Sequence, residues 1–132
     1  MFILDTTTVS DYLRGNKGII NRLRKTSFQN IYVTSITEYE LEYGLLKKPN
    51  LRQAYGGQLD LLYAQINHLD FNLSCALAAA RIKQQLINAG TPIGIEDVLI
   101  AAIALDHNFA VVTSNLKHFQ KIENLEVVNW KR

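Results

Sequence analysis

A chain of 132 residues with 48% hydrophobic and 20% charged side chains has the composition of one ordinary globular domain, long enough to bury a core. Its single cysteine, Cys75, excludes an intramolecular disulfide and any paired-cysteine metal site, which suits a reducing compartment and a role as a small apolar residue. A net charge of +2 and a pI near 8.7 are too mild to imply nucleic-acid binding by themselves.

The chain opens MFILD, with a charge at the fifth residue and no basic flank before an apolar run, so no export signal is expected and the protein should be soluble and cytoplasmic. The apolar, β-branched run at residues 2–4 reads as a first strand, followed by helices at 9–13 and 17–26. Between Tyr12 and Thr37 the charged residues are Arg14, Lys17, Arg22, Arg24 and Lys25, with no acid among them. That segment is either a solvated helix face or a patch that contacts phosphates. A strand at 31–33 is followed by helices at 36–47 and 51–65, the second with Gly56-Gly57 as a candidate break. A weaker strand at 67–70 precedes helices at 73–88 and 95–106. The wholly apolar residues 98–105 have no face for water, so their helix should be central, and eight residues fall far short of the roughly 20 that span a bilayer. Strands at 109–112 and 125–128 close the chain around a short helix through Phe119. Alternation of strand and helix, with no repeat or linker, predicts a single α/β domain over 1–132: a mainly parallel sheet of four or five strands with helices on both faces.

In such a sheet, ligands bind beyond the carboxyl ends of the strands, so polar residues that follow strands come first. Asp5 closes Phe2-Ile3-Leu4 and precedes Thr6-Thr7-Thr8. It could cap the next helix, but Thr8 with Asp11 already forms a capping-box-like pair, which leaves Asp5 for function. In Thr37-Glu38-Tyr39-Glu40-Leu41-Glu42-Tyr43-Gly44 three glutamates compete. Glu38 and Glu42 lie about 40° apart on a helix and Glu40 about 160° from either, beside Ile36, Tyr43 and Gly44. Glu40 could point into a pocket, although Lys47 on the same side suggests a wet face; the pattern leaves both open. Asp97, in Gly94-Ile95-Glu96-Asp97, sits in a first helical turn, where acids are favoured by the macrodipole. Glu96 can meet that preference, and Asp97 should then emerge near the sheet end. Thr113-Ser114-Asn115 follows a strand; it can serve as loop and helix cap, or offer hydroxyl and amide oxygens to the outer ligands of a hard cation. Three carboxylates converging within a few ångströms would repel one another unless protonated or neutralised, which points to magnesium or manganese. Such an ion orients and acidifies water and stabilises charge on a phosphodiester, without a nucleophilic side chain.

Together these segments resemble the PIN-domain ribonucleases, in particular the VapC-type toxins of bacterial toxin–antitoxin pairs. The resemblance rests on Phe2-Ile3-Leu4-Asp5-Thr6, Thr37 through Glu40-Leu41-Glu42-Tyr43-Gly44, Ile93-Gly94-Ile95-Glu96-Asp97 into the apolar helix, Val112-Thr113-Ser114-Asn115 with Phe119, and the closing Asn129-Trp130. It covers nearly the whole chain. It implies a PIN-type three-layer sandwich; Asp5, Glu40 and Asp97 as the acidic metal-site residues; and Asn115 where some members carry a fourth acid. Thr6, Thr113 and Ser114 would support that site. It also implies Mg²⁺-dependent cleavage of RNA, often transfer or ribosomal, with Mn²⁺ as a substitute. The implied partners are a VapB-like antitoxin that blocks the site and a second copy in a homodimer, with DNA met only through the antitoxin. Two departures stand out: Thr7 replaces a frequent asparagine after the Asp-Thr pair, and the Asn115 amide makes the site less negative, which allows a one-metal mechanism. The basic residues Arg14, Lys17, Arg22, Arg24 and Lys25, with Lys117, are expected to contact RNA.

Other readings are weaker. A haloacid-dehalogenase-type phosphatase needs a second aspartate where this chain has Thr7. A metal-free ribonuclease would need paired histidines, but His68, His107 and His118 fall at predicted element ends in an unrelated pattern; His118 beside Lys117 could instead touch a phosphate. A PIN-fold module that binds antitoxin or RNA without cutting is the non-enzymatic alternative.

Overall fold

A computed structural model describes residues 1–131. In chain order the elements are β1 (Phe2–Leu4), α1 (Thr6–Leu13), α2 (Lys17–Lys25), β2 (Ile31–Thr34), α3 (Ser35–Lys47), α4 (Pro49–Gln65), β3 (Asn67–Leu69), α5 (Leu73–Asn88), α6 (Ile95–His107), β4 (Ala110–Val112), α7 (Leu116–Phe119) and β5 (Val127–Val128). The five strands form one sheet in the order β3-β2-β1-β4-β5, and every pairing is parallel. The expected α/β sandwich is therefore present, with its sheet wholly parallel.

Strand alternation sends side chains to two cores. Ile3 and Val111 pack with α5 and α6, while Leu4, Val33 and Val112 pack with α1, α2 and α4. Helix α6 lies where its composition predicts: Val98, Ile100 and the run from Ala101 to Ala104 are buried, and the alanines let α5 approach closely. Each fully buried aliphatic side chain here contributes about 2 kcal/mol. Asn108 ends α6 in the left-handed region, at φ 58, where asparagine is better tolerated than most residues. Trp130 is buried against Phe2 at 5.1 Å between ring centres, with the Arg22 guanidinium 5.2 Å above its ring, so the end of the chain seals the α2 side.

The sheet order sets where the chemistry can occur. From β1 the chain builds outward through β2 and β3 on one side; β4 then returns to the other flank of β1 and β5 follows it. The order reverses between β1 and β4, so a crevice opens at their carboxyl ends. Register aligns Leu4 with Val112, so Asp5 and Thr113 leave the sheet side by side, and Asp5 N–H extends the ladder to the Val112 carbonyl at 3.0 Å.

Two expectations are corrected. Helix α1 begins at Thr6 rather than at residue 9, because Asp5 caps it. Helix α4 runs unbroken through Gly56-Gly57: Gly56 is buried, and neither glycine has the positive φ of a turn. A methyl at Gly57 would meet nothing within 4 Å. Gly57→Ala should therefore stabilise the fold by about 0.5–1 kcal/mol, through helix propensity and a less flexible unfolded chain. A higher urea midpoint at unchanged slope is the expected result; a lower midpoint would contradict a continuous helix.

Candidate active site

Asp5 is almost wholly buried, with 1% of its surface exposed. It is the N-cap of α1: its Oδ1 accepts from Thr8 N–H at 2.9 Å and from the Thr7 hydroxyl at 2.8 Å. This overturns the expectation that Thr8 and Asp11 supply the cap. Thr8 instead donates its hydroxyl to the Val112 carbonyl at 2.8 Å, and Asp11 pairs with Arg14 and Lys131 at 3.7 and 3.5 Å. Asp5 thus starts the helix 5→6 directly after the strand and ties α1 to the sheet. Thr7, where an asparagine is frequent in the family it resembles, orients Asp5 through its hydroxyl. Burial raises the Asp5 pKa above its ordinary value, opposed by hydrogen bonds from Thr113, the Thr8 amide and the Thr7 hydroxyl.

The three glutamates of α3 are sorted by their neighbours. Glu38 is bound by His68 at the edge of β3, and Glu42 by Arg52 of α4. Glu40 alone reaches the crevice, where Thr6 donates its hydroxyl to Oε1 at 2.6 Å; the Thr6 oxygen also lies 3.1 Å from that of Thr37, which is buried. Lys47 is exposed and sits over the Tyr43 ring at 5.4 Å, so it does not compete for Glu40. Burial raises the Glu40 pKa, the Thr6 bond lowers it, and the charges of Glu96, Asp97 and Asp5 raise it again. Glu40 therefore stands within electrostatic reach of the other three acids. Glu96, set aside in the sequence as a helix-end acid, belongs to this group; Gly94 caps α6 without any side-chain bond.

Asp97, half-buried in the first turn of α6, receives His118: Nδ1 lies 3.0 Å from Asp97 Oδ2. Asn115 reaches the same ring nitrogen with Nδ2 at 2.8 Å. Thr113 links this side to Asp5, since its oxygen accepts from Asn115 N–H at 2.9 Å while its hydroxyl donates to the Asp5 carboxylate. Ser114 contributes its backbone N–H, to the Thr7 oxygen at 3.4 Å, rather than its hydroxyl. The link to His118 had no sequence signal, because it depends on how α7 packs on α6. The other histidines lie elsewhere: His68 binds Glu38 and the Tyr63 carbonyl, and His107 the Ile103 carbonyl. No histidine pair stands ready for metal-free acid–base chemistry among the described residues.

Among the described residues, no three acidic, histidine or cysteine side chains form a group tight enough to ligate one ion. The expected convergence within a few ångströms is thus replaced by a looser ring, in which each carboxylate is held by its own donor. Its oxygen-rich donor set fits a hard cation that keeps most of its waters and takes one or two carboxylates plus substrate oxygens. Beside Glu40 and Thr6 a cavity of about 270 Å³ opens between α1, α3 and α4, walled by Leu13, Leu41, Leu51 and Tyr55 with Arg14 also lining it. The basic residues Lys17, Arg24 and Lys25 are exposed along α2, as is Lys117 on α7, while Arg22 is engaged with Trp130.

Comparison with known proteins gives a consistent result. The PIN domain family matches residues 2–125. A relative named Ribonuclease VapC2, from Rickettsia felis, is 33% identical over 77% of this chain and 75% of its own. The tRNA(fMet)-specific endonuclease VapC of Salmonella typhimurium is 29% identical over 98% of this chain and 97% of its own. The crystal structure of VapBC2 from Rickettsia felis bound to a DNA fragment from their promoter superposes with a TM-score of 0.91 at 29% identity, covering 98% of each chain.

The buried carboxylate carries a testable cost. A carboxyl whose folded pKa lies above its ordinary 3.8 binds its proton more tightly when folded, so the ionised form reduces stability at neutral pH. That penalty disappears as pH falls through the raised value. Asparagine keeps the Oδ1 acceptor for Thr7 and Thr8 and can donate to the Thr113 oxygen. Asp5→Asn should therefore melt at or above the native temperature at pH 7, with the difference shrinking towards about pH 4. A native protein that is the more stable of the two at pH 7, and gains further as pH rises, would contradict this.

Proposed function

Because the chain belongs to the PIN-domain family, we propose that it is the toxin of a bacterial toxin–antitoxin pair, an endoribonuclease that hydrolyses RNA phosphodiester bonds with the help of Mg²⁺ or Mn²⁺. The observation that carries this reading is that Asp5, Glu40 and Asp97 stand at the β1–β4 switch point, each held by a separate donor, with Glu40 within reach of the charges of the other two. A divalent cation held by these oxygens would stabilise the charge developing on the phosphodiester and acidify a water. The chain's own residues do the positioning. Thr6 fixes one oxygen of Glu40, and the Thr7 hydroxyl and Thr8 amide fix one oxygen of Asp5, so that each carboxylate keeps its second oxygen for a ligand. No nucleophilic side chain is needed: water attacks phosphorus, and the leaving ribose oxygen is released. The name of the Salmonella typhimurium relative supports transfer RNA as the substrate, with ribosomal RNA the other candidate.

The partners follow from the same reading. A VapB-like antitoxin would place an apolar segment in the cavity beside Glu40, covering Thr6 and the carboxylate, and would bring the pair to DNA. Tyr39, Tyr43 and Leu46, exposed at helical spacing on α3, suit an interface with a second copy. Among the described residues no helix is long and apolar enough to cross a membrane. Exposed Lys17, Arg24, Lys25 and Lys117, with Arg14 at the cavity, are the residues proposed to hold RNA phosphates.

The test is cleavage of purified transfer and ribosomal RNA by antitoxin-free protein. Cleavage should require Mg²⁺ or Mn²⁺, stop in chelator, and fall by roughly a hundredfold or more in Asp5→Ala. Folded protein that cuts no RNA would favour the binding-only module, and cutting that survives chelator would overturn the metal. The RNA contacts have their own check. Because Arg22 stacks on Trp130, reversing it would disturb the fold, so Arg24→Glu with Lys25→Glu is the cleaner variant. It should weaken RNA binding and flatten its salt dependence by about one to two counterions without moving the melting temperature. Unchanged affinity would remove α2 from the interface.

A further inference from the structure

His118 is not accounted for by the three-carboxylate reading. It lies on α7, a single turn anchored by Phe119, which is fully buried and packs in the same core as α6. The anchor fixes where the neighbouring imidazole stands. Its Nδ1 is 3.0 Å from Asp97 Oδ2 and 2.8 Å from Asn115 Nδ2. One ring nitrogen cannot donate to a carboxylate and accept from an amide at once. With a proton on Nδ1 the bond runs to Asp97, and with that nitrogen bare it runs to Asn115. The carboxylate is the stronger partner, because a bond to a charged acceptor is worth about twice a neutral one. This is the only side-chain hydrogen bond described for Asp97, and it engages Oδ2 alone.

Glu40 and Asp5 both have donors of their own, on α1 and the β4 loop. Asp97 has none on its own helix, since α6 begins at Gly94 without a side-chain cap. Without His118 its carboxylate would be free to rotate about χ1 and χ2 at the mouth of the crevice. From this geometry, and resting on the metal-dependent reading above, we propose that His118 is a positioning residue for Asp97. It pins Oδ2 through Nδ1–H and so presents the other oxygen to the cation, while Asn115 serves as the rest position of the same imidazole rather than as a fourth ligand. A residue that orients a ligand in this way commonly changes metal affinity by about 10–100-fold.

The bond is tested first without metal, from the imidazole nitrogen shifts of His118 in native and Asp97→Ala protein. Shifts that move on removing Asp97 support it, and shifts that do not move overturn the proposal whatever the metal does. Mn²⁺ titration of antitoxin-free protein, followed by the paramagnetic signal of free Mn²⁺, then tests the consequence. His118→Ala should bind Mn²⁺ about tenfold more weakly. Asparagine places an N–H donor at the same distance from the backbone as Nδ1, so His118→Asn should return to within about threefold of native affinity. In the cleavage assay the alanine variant should lose kcat with KM for RNA unchanged. Native Mn²⁺ affinity in His118→Ala, or an asparagine variant as weak as alanine, would overturn the positioning role while leaving the metal reading intact. Native protein that shows the bond but binds Mn²⁺ no better than Asp5→Ala would overturn the metal reading and this role with it.

Discussion

The parallel pairing of β1 with β4 brings together residues more than a hundred positions apart and fixes the spacing on which the site depends. Leu4 is in register with Val112, so the chain leaves the sheet at Asp5 and Thr113 as neighbours, and the two are joined by a hydrogen bond. The same pairing forces β2 and β3 to one side and β5 to the other. It thereby creates the reversal of strand order where a crevice must open. Helices α1, α3 and α6 all start at this end, so Thr6, Asp97 and the first turns of α1 and α6 are carried to it by topology. Glu40 arrives from the second turn of α3, by way of its bond to Thr6.

Gathering carboxylates in one place works against folding. Desolvation favours protonation of both Asp5 and Glu40, and at Glu40 the charges of Glu96, Asp97 and Asp5 add to it, so both pKa values rise. The chain limits the penalty with local donors: the Thr7 and Thr113 hydroxyls and the Thr8 N–H for Asp5, one hydroxyl for Glu40, and an imidazole for Asp97. None of these donors is a lysine or arginine. A fixed lysine or arginine at this point would neutralise the acids permanently, whereas hydroxyl and amide donors hold the carboxylates in place and leave their charge to attract a mobile ion. Replacing a fourth acid by Asn115 follows the same logic, because each further carboxylate would have to be desolvated and separated from the others.

The fold class was legible from period and composition because both are properties of short segments. The apolar residues 98–105 admit only a buried helix, and alternation of strands and helices admits few sheets. Asp5, Asp97 and Thr113 were legible by position, since each follows or precedes a strongly patterned element. Glu40 was undecided on pattern, because helix geometry separates it from Glu38 and Glu42 without saying which face meets the crevice. The answer came from His68 and Arg52, partners 30 and 10 residues away, that bind the other two. Glu96 and His118 were missed for a related reason. One was absorbed by a preference of helix ends for acids, and the other depends on the packing of a four-residue turn against a distant helix.

At Asp5 capping and chemistry are not rivals, although the sequence offers Thr8 with Asp11 as an alternative cap. A carboxylate has two oxygens, and the structure assigns the helix N–H and the Thr7 hydroxyl to one of them. The cap therefore aims the side chain as well as starting the helix, and it does so at the positive end of α1, where negative charge is favoured. A residue that merely lined the crevice would need a separate support to hold its rotamer; Asp5 is held by the backbone it initiates. Loss of the side chain should consequently disturb α1 and the ligand site together, while loss of the charge alone should leave α1 intact. For that reason asparagine, not alanine, separates the structural contribution of this residue from its chemical one.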